Sequence, residues 1–339
     1  MNTLKVCVIG GGSWGTALAK VLAEKGFRVS LLVRRKELAY TINIECENPD
    51  YLPGINLPSK IVATTKPFEC INGSNIVIWA IPSHALRGFI DSLDEEEFNL
   101  LKGVEHHVLG IKGIDLDTGK FPSQILREKL GEGVNVYVLG GPSFAKEVAK
   151  GLPTAVVIST FGDFRYLKWT QEVLAHRYFR VYRNDDPRGV ECAGALKNVI
   201  AIAGGICDGL GLGANARASL ITRGLLELIR VGEVFKAKRE TFYGLAGLGD
   251  LVLTCTSALS RNYRLGFLIA SGSSIESALK EIKEVAEGYR TAKVVKELAE
   301  KFNLELPICE EVYKILYENV SVNEALERLL SRELKEEFW

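Results

Sequence analysis

The fold is decided near the start of the chain, in Lys5-Val6-Cys7-Val8-Ile9-Gly10-Gly11-Gly12-Ser13-Trp14-Gly15 and the Thr16-Ala17-Leu18-Ala19-Lys20-Val21-Leu22-Ala23-Glu24 that follows. A short apolar run of strand character enters a glycine-rich turn, and the turn opens into a segment with apolar residues at helical spacing. Gly10, Gly12 and Gly15 fit G-x-G-x-x-G. The first glycine permits a tight turn, the second lets backbone approach a pyrophosphate, and the third lets helix and strand pack closely, with the phosphate at the helix N-terminus. The pattern is weak by itself. Its position between a first strand and a helix favours a dinucleotide site over an ordinary glycine-rich turn.

Working outward, residues 28–33, 75–81, 107–111, 134–139 and 154–159 read as further strands alternating with helical patterns, which implies βαβ units and a parallel sheet. Strand character disappears after about Asn184. Residues 190–204, 214–235, 275–283, 291–302, 310–317 and 322–330 all carry helical periodicity. The turn-rich Asn184-Asp185-Asp186-Pro187 marks a boundary. The expected architecture is an α/β, doubly wound (Rossmann-like) dinucleotide-binding domain over 1–186, followed by an all-α substrate and catalytic domain over 187–339. No repeat of fixed period occurs.

The 339 residues suit roughly two domains. Lys plus Arg and Asp plus Glu each number 42, so no global field draws the chain to nucleic acid or an anionic membrane. Hydrophobic residues at 47% and charged residues at 25% are those of a globular protein. The longest unbroken apolar runs, 76–82 and 199–207, fall short of the roughly 18 residues of a bilayer span, so no membrane span is expected. Met1-Asn2-Thr3-Leu4-Lys5 lacks the features of a secretory signal, which makes a cytoplasmic location the expectation. Seven scattered cysteines without a C-x-x-C pair, and four histidines, offer no metal-ligand spacing; the cysteines read as reduced core residues.

The second strand runs into Val33-Arg34-Arg35, where a cofactor with a free ribose 2′-hydroxyl usually meets an acid. Two guanidiniums suit a 2′-phosphate and favour NADP(H), with NAD(H) left open and a solvated surface pair as the alternative. Ile81-Pro82-Ser83, Lys112-Gly113 and Gly141-Pro142-Ser143 each follow a strand, on the sheet edge where ligands of such folds bind. Lys197 has Ala193, Gly194, Ile200 and Ala201 as its helical neighbours, a face that should be buried. Burial brings a lysine pKa toward neutrality, as a general acid requires, whereas a snorkelling lysine would keep its head in water. Asp250 and Thr254 stand four apart, on one face if the segment is helical, although Asp250 also reads as a cap. Ser260-Arg261-Asn262 offers a guanidinium and an amide to a phosphate or carboxylate.

These strings closely resemble the bacterial-type NAD(P)-dependent glycerol-3-phosphate dehydrogenases. The resemblance is carried in family order by Gly10-Gly-Gly-Ser-Trp-Gly15, Ile81-Pro82-Ser83, Lys112-Gly113, Gly141-Pro-Ser-Phe-Ala-Lys-Glu147, Gly194-Ala-Leu-Lys-Asn-Val-Ile-Ala201, Gly211-Leu-Gly-Ala-Asn-Ala-Arg217, Gly247-Leu-Gly-Asp-Leu-Val-Leu-Thr254, Ser260-Arg-Asn262 and Val285-Ala-Glu-Gly-Tyr289. It implies reversible reduction of dihydroxyacetone phosphate to sn-glycerol 3-phosphate, a phospholipid precursor. It implies Lys197 as proton donor, Asp250 as the residue that tunes it, with Thr254 and Lys112 beside them. Arg261 and Asn262, with Ser260, form the implied phosphate grip, and Gly141, Ser143 and Asn198 the remaining substrate contacts. Gly10, Gly12, Ser13, Trp14, Gly15, Arg34, Arg35, Tyr51, Lys112, Ala145, Arg261, Val285 and Glu287 are the implied cofactor contacts, and a homodimer is the expected assembly. Departures from the family pattern are a bulky Trp79 in a strand and Gly110-Ile111 before Lys112. A dehydrogenase for a β-hydroxy acid would share the glycine turn and a helical lysine but not the strings around Asp250 and Arg261.

Overall fold

A computed structural model describes residues 4–282 and 285–337. Eight strands, β1 Lys5–Ile9, β2 Arg28–Leu32, β3 Ile61–Thr64, β4 Ile76–Trp79, β5 His106–Leu109, β6 Asn135–Gly140, β7 Thr154–Thr160 and β8 Phe179–Arg183, form one sheet in the order β3-β2-β1-β4-β5-β6-β7-β8. The strand order reverses between β1 and β4, which pair in parallel from Val6↔Ile76 to Ile9↔Trp79. That reversal opens a crevice at the carboxyl ends of the strands, the place where a doubly wound sheet binds its ligand. β4 and β5 are buried throughout, as strands covered on both faces must be.

Two strands escape the sequence reading, and one pairing corrects it. β3 (burial alternating along Ile61-Val62-Ala63-Thr64) and β8 (Phe179-Arg180-Val181-Tyr182-Arg183) are the sheet edges, short and half exposed, so they lack a continuous apolar run. β6 and β7 pair antiparallel, not parallel. Between Gly140 and Thr154 there is room for one five-residue helix, Ala145–Ala149, and the chain turns back beside β6 instead of crossing over.

Beyond β8 the described chain is helical. Its spine is the helix Pro187–Gly209, started by Asp186, whose carboxylate accepts from the Gly189 N–H at 3.0 Å, the Lys238 N–H at 2.8 Å and the Thr241 hydroxyl at 2.8 Å. By length and composition this helix could cross a membrane, although no unbroken apolar run in it is that long, and 94% of its most apolar stretch is buried inside the protein, as in a core helix. Helices Gly213–Val234 and Arg261–Ala270 pack along it. The segment Arg239–Cys255, unassigned from sequence, holds a short helix, a π-helical turn Leu245–Gly249 with a Gly249 N–H to Gly244 C=O bond of 3.1 Å, and the helix Asp250–Cys255. Helix Ile275–Ile282 matches its expected start; the expected end at residue 283, like Met1-Asn2-Thr3, lies outside the described residues.

Candidate active site

Lys197 projects from the middle of the spine helix and is 5% exposed, because its neighbours along the helix are small or apolar and let other elements close over it. Its ammonium donates to Asp250 Oδ1 at 2.7 Å and to Thr254 Oγ1 at 2.6 Å. Asp250 opens the helix after the π-helical turn and is 1% exposed; its carboxylate points inward, to Lys197 rather than to the backbone of its own helix. Thr254, one turn on, donates to the Asp250 carbonyl at 2.5 Å, and both side chains meet the Lys197 ammonium, so the two residues share a face. Burial pulls the Lys197 ammonium down to about 8, against the pull of Asp250, and the nearby Lys112 charge acts with burial. Burial also penalises the Asp250 carboxylate, but Lys112 and Lys197 together outweigh it and hold the group below its usual range.

Lys112 arrives from the other half of the chain, three residues past β5. Its ammonium donates to Asp250 Oδ2 at 2.8 Å, to the Gly141 carbonyl at 2.9 Å, and at 3.5 Å to Ser143 Oγ. One carboxylate therefore bridges two ammoniums, one from a strand exit and one from a helix. Ser143 also donates to the Gly141 carbonyl at 2.9 Å, which keeps the turn after β6 close to Lys112. The Asn198 amide donates to the Lys112 carbonyl at 3.0 Å, the Asn262 amide donates to Asn198 Oδ1 at 2.9 Å, and the Gly288 N–H donates to Asn262 Oδ1 at 2.9 Å. Ser260 caps the helix Arg261–Ala270 by accepting from the Tyr263 N–H at 3.2 Å, and Arg261 is exposed at that helix start. Contacts thus join Lys112, Gly141, Ser143, Lys197, Asn198, Asp250, Thr254 and Asn262 in one place, while Ser260 and Arg261 stand beside it as the residues just before Asn262.

Of the expected cofactor residues, Gly10, Gly12, Ser13, Trp14, Gly15 and Tyr51 lie together at a second place along the same edge. Gly10 has φ +119°, and a Cβ there would stand 2.5 Å from the Ala80 carbonyl oxygen, so the turn closes against the exit of β4. Over Gly12, by contrast, no described atom beyond its chain neighbours lies within 4 Å of where a Cβ would be, which leaves a ledge at the start of the helix Ser13–Glu24. Trp14 lies beside it, its indole N–H buried with no hydrogen-bond partner among the described residues, and Gly110 makes room for that indole. The Ser13 hydroxyl donates to the Tyr51 carbonyl at 3.1 Å, bringing Tyr51 to the ledge. Arg34 and Arg35 are exposed past β2, and Arg35 pairs with Asp50. From β2 to β5 are three strand steps, roughly 14 Å. Ala145 begins a helix near Ser143, and Val285 and Glu287 are half-buried at the start of the helix Glu287–Phe302. A ledge that a side chain would fill, a helix N-terminus without an acid in its first turn and an unpartnered buried indole donor fit a dinucleotide.

Sequence reasoning passed over one contact here. Ser83 donates its N–H to Glu287 Oε1 at 2.9 Å and its hydroxyl to Glu287 Oε2 at 2.7 Å, across 204 residues. Both residues lie in strings singled out from the sequence, Ile81-Pro82-Ser83 and Val285-Ala-Glu-Gly-Tyr289, but nothing there pairs them.

Comparison with known proteins now decides the family. The N-terminal model of the NAD-dependent glycerol-3-phosphate dehydrogenases matches residues 5–162 and the C-terminal model matches 186–327. The chain belongs to the NAD-dependent glycerol-3-phosphate dehydrogenase family. It is 44% identical over 339 residues to a glycerol-3-phosphate dehydrogenase [NAD(P)+] of Carboxydothermus hydrogenoformans, covering 100% of this chain and 99% of the relative. To the enzyme of that name from Moorella thermoacetica it is 45% identical, covering 96% of each. The crystal structure of the Coxiella burnetii glycerol-3-phosphate dehydrogenase superposes with a TM-score of 0.89 at 38% identity, over 97% of this chain and 99% of that one. Trp79, the departure from the family pattern, is absorbed by the sheet: its indole N–H donates to His107 Nδ1 at 3.2 Å, away from the site.

Proposed function

We propose that this chain catalyses the reversible NAD(P)H-dependent reduction of dihydroxyacetone phosphate to sn-glycerol 3-phosphate, which feeds glycerophospholipid synthesis. The observation that carries this reading is the buried Lys197 ammonium, held by Asp250 and Thr254 and faced by Lys112. A bound nicotinamide supplies the hydride, NADP(H) being favoured by Arg34 and Arg35 and NAD(H) remaining usable. Reduction of a carbonyl builds negative charge on its oxygen, and Lys197 stabilises that charge and delivers a proton to it. Two ammonium N–H groups are directed at Asp250 and Thr254, and the third is the one offered to the substrate oxygen. A pKa of about 8 lets the same amine give the proton in one direction and take it in the other near neutral pH. Asp250 keeps the amine charged despite its burial, and Lys112, anchored on Gly141, adds a second cation.

Arg261, at a helix start capped by Ser260, grips the phosphate, with Lys112, Gly141, Ser143, Asn198 and Asn262 shaping the rest of the substrate pocket. Gly10, Gly12, Ser13, Trp14, Gly15 and Tyr51 form the cradle at the adenine-ribose and pyrophosphate end, and Ala145, Val285 and Glu287 join Lys112 and Arg261 at the other. In this reading the dinucleotide-binding domain is 1–186 and the substrate domain 187–339, and the enzyme acts in the cytoplasm as a homodimer; those last features rest on the family resemblance. The test is the loss of reduced-nicotinamide absorbance on adding dihydroxyacetone phosphate to purified enzyme. Lys197→Ala should nearly abolish turnover and leave NADPH binding largely intact. Unchanged turnover in that variant would remove the assignment.

A further inference from the structure

We infer that Ser83 is a positioning residue of this active site, setting Lys112 through the Glu287 carboxylate in a joint between the two halves of the chain; the inference rests on the reading of Lys112 given above. Ser83 lies just past β4 and is 1% exposed. Its N–H and hydroxyl take both oxygens of Glu287, at 2.9 and 2.7 Å. Hydrogen bonds to an ionised acceptor are roughly twice as strong as neutral ones. Glu287 is the first residue of its helix, where the helix field favours a carboxylate and holds it in place.

The joint bears on Lys112 through Gly113. A Cβ on Gly113 would stand 2.6 Å from Ser83 Oγ and 2.6 Å from Glu287 Oε2, so the Gly113 backbone lies directly against both partners. On the other side the Lys112 carbonyl is fastened to the spine helix by Asn198. The Lys112 stem passes over Gly194, whose Cβ position is 3.6 Å from Lys112 Cγ. Lys112 is thus held between the joint and the catalytic helix, with its ammonium aimed at Asp250. Removing the joint frees one wall of that slot, and Lys112 withdraws from Asp250. Lys197 faces Asp250, Lys112, Thr254 and Cys255, and of these the Lys112 charge alone opposes its protonation. Withdrawal of Lys112 therefore moves the alkaline limb of turnover upward.

The test compares Ser83→Ala, Gly113→Ala and the double variant in the full-length enzyme. The methyl group that Gly113→Ala introduces pushes apart the same atoms without deleting a donor. Each single variant should lower kcat for dihydroxyacetone phosphate about 10-fold, the order set by one hydrogen bond to a charged group. Each should also shift the alkaline limb of kcat upward, and the double variant should be no worse than the poorer single one, because residues acting through one contact are not additive. Hydrogen exchange of residues 110–116, followed by mass spectrometry without substrate, should accelerate about 10-fold in Ser83→Ala, for the same lost hydrogen bond. Wild-type kcat and limb in a folded Ser83→Ala, multiplicative effects in the double variant, or unchanged exchange would overturn the joint. If Ser83→Ala does not fold, an unmoved limb in Gly113→Ala overturns it. An inactive wild type with accelerated exchange in Ser83→Ala would refute the substrate instead and leave the joint standing.

Discussion

Asp250→Asn isolates the electrostatics of the site with little change of shape. The carboxylate stands 2.7 Å from the Lys197 ammonium and 2.8 Å from that of Lys112. At 2.7 Å, a unit charge pair is worth about 1.5 kcal/mol with the screening of bulk water and about 6 kcal/mol at an effective dielectric constant of 20. One pKa unit corresponds to 1.36 kcal/mol, so even the weaker figure moves Lys197 by about one unit. The sign follows from the loss of an anion beside a buried cation: burial and Lys112 both oppose protonation, and with Asp250 neutral nothing of comparable strength favours it. Lys197 should fall from about 8 to about 7 or lower. In reduction, where the protonated amine is the active form, kcat at pH 8 should drop at least about 5-fold from protonation alone and recover as the pH is lowered toward 6. The assay is kcat against pH for wild type and variant, both saturated with NADPH and dihydroxyacetone phosphate. An alkaline limb that stays in place or moves upward would show that Asp250 does not set the charge of Lys197.

Three further outcomes follow from other parts of the molecule. Arg34→Ala combined with Arg35→Ala should raise KM for NADPH at least about 10-fold more than KM for NADH, since only the former carries the 2′-phosphate; equal changes would refute that role. Gly12→Val places a side chain on the open ledge, so Tm should hold while KM for both cofactors rises about 10-fold or more, and a variant with unchanged KM would clear the ledge of any part in binding. His107 is fully buried, with Nε2 donating to the Val104 carbonyl at 2.8 Å and Nδ1 accepting from Trp79, and burial pushes it down to about 4. Its unfolded form protonates at 6.5, so the unfolded chain binds more protons between those values and stability is lost as pH falls. Wild type should lose about 2 kcal/mol more than His107→Gln between pH 7 and pH 5 in urea unfolding; equal losses would contradict a neutral buried ring.

The central lysine was legible because a charged residue among small and apolar neighbours at helical spacing has nowhere dry to go except a designed contact. The glycine turn, the strand exits at Lys112 and Gly141 and the change of character after Asn184 were legible for a related reason: each is a local signal whose meaning follows from its place after a strand. What stayed hidden depends on partners remote in sequence. Asp250 read as a cap or, if its segment is helical, as sharing a face with Thr254, and the partners of its carboxylate appear only with the arrival of Lys112 and Lys197. Ser260 and Asn262 were both read as groups for a substrate, yet the Ser260 hydroxyl also caps its own helix and the Asn262 amide joins Asn198 to Gly288. The direction of β7 escaped because alternation identifies a strand but not its orientation, and the length of the connection after Gly140 decides it. Ser83 and Glu287 were named in strings whose contact no spacing rule could supply.

The π-helical turn before Asp250 changes how variation in this region should be weighed. Five residues, Leu245-Ala246-Gly247-Leu248-Gly249, close a loop one residue wider than an α-helical turn. Each residue of an α-helix advances the direction of the side chain by about 100°. Deleting one residue to restore regular geometry would therefore swing the Asp250 carboxylate off the two lysines, although every functional group survives. The chemistry of the site resides partly in a count of residues, so insertions and deletions here carry evolutionary consequences that a comparison of side chains would miss.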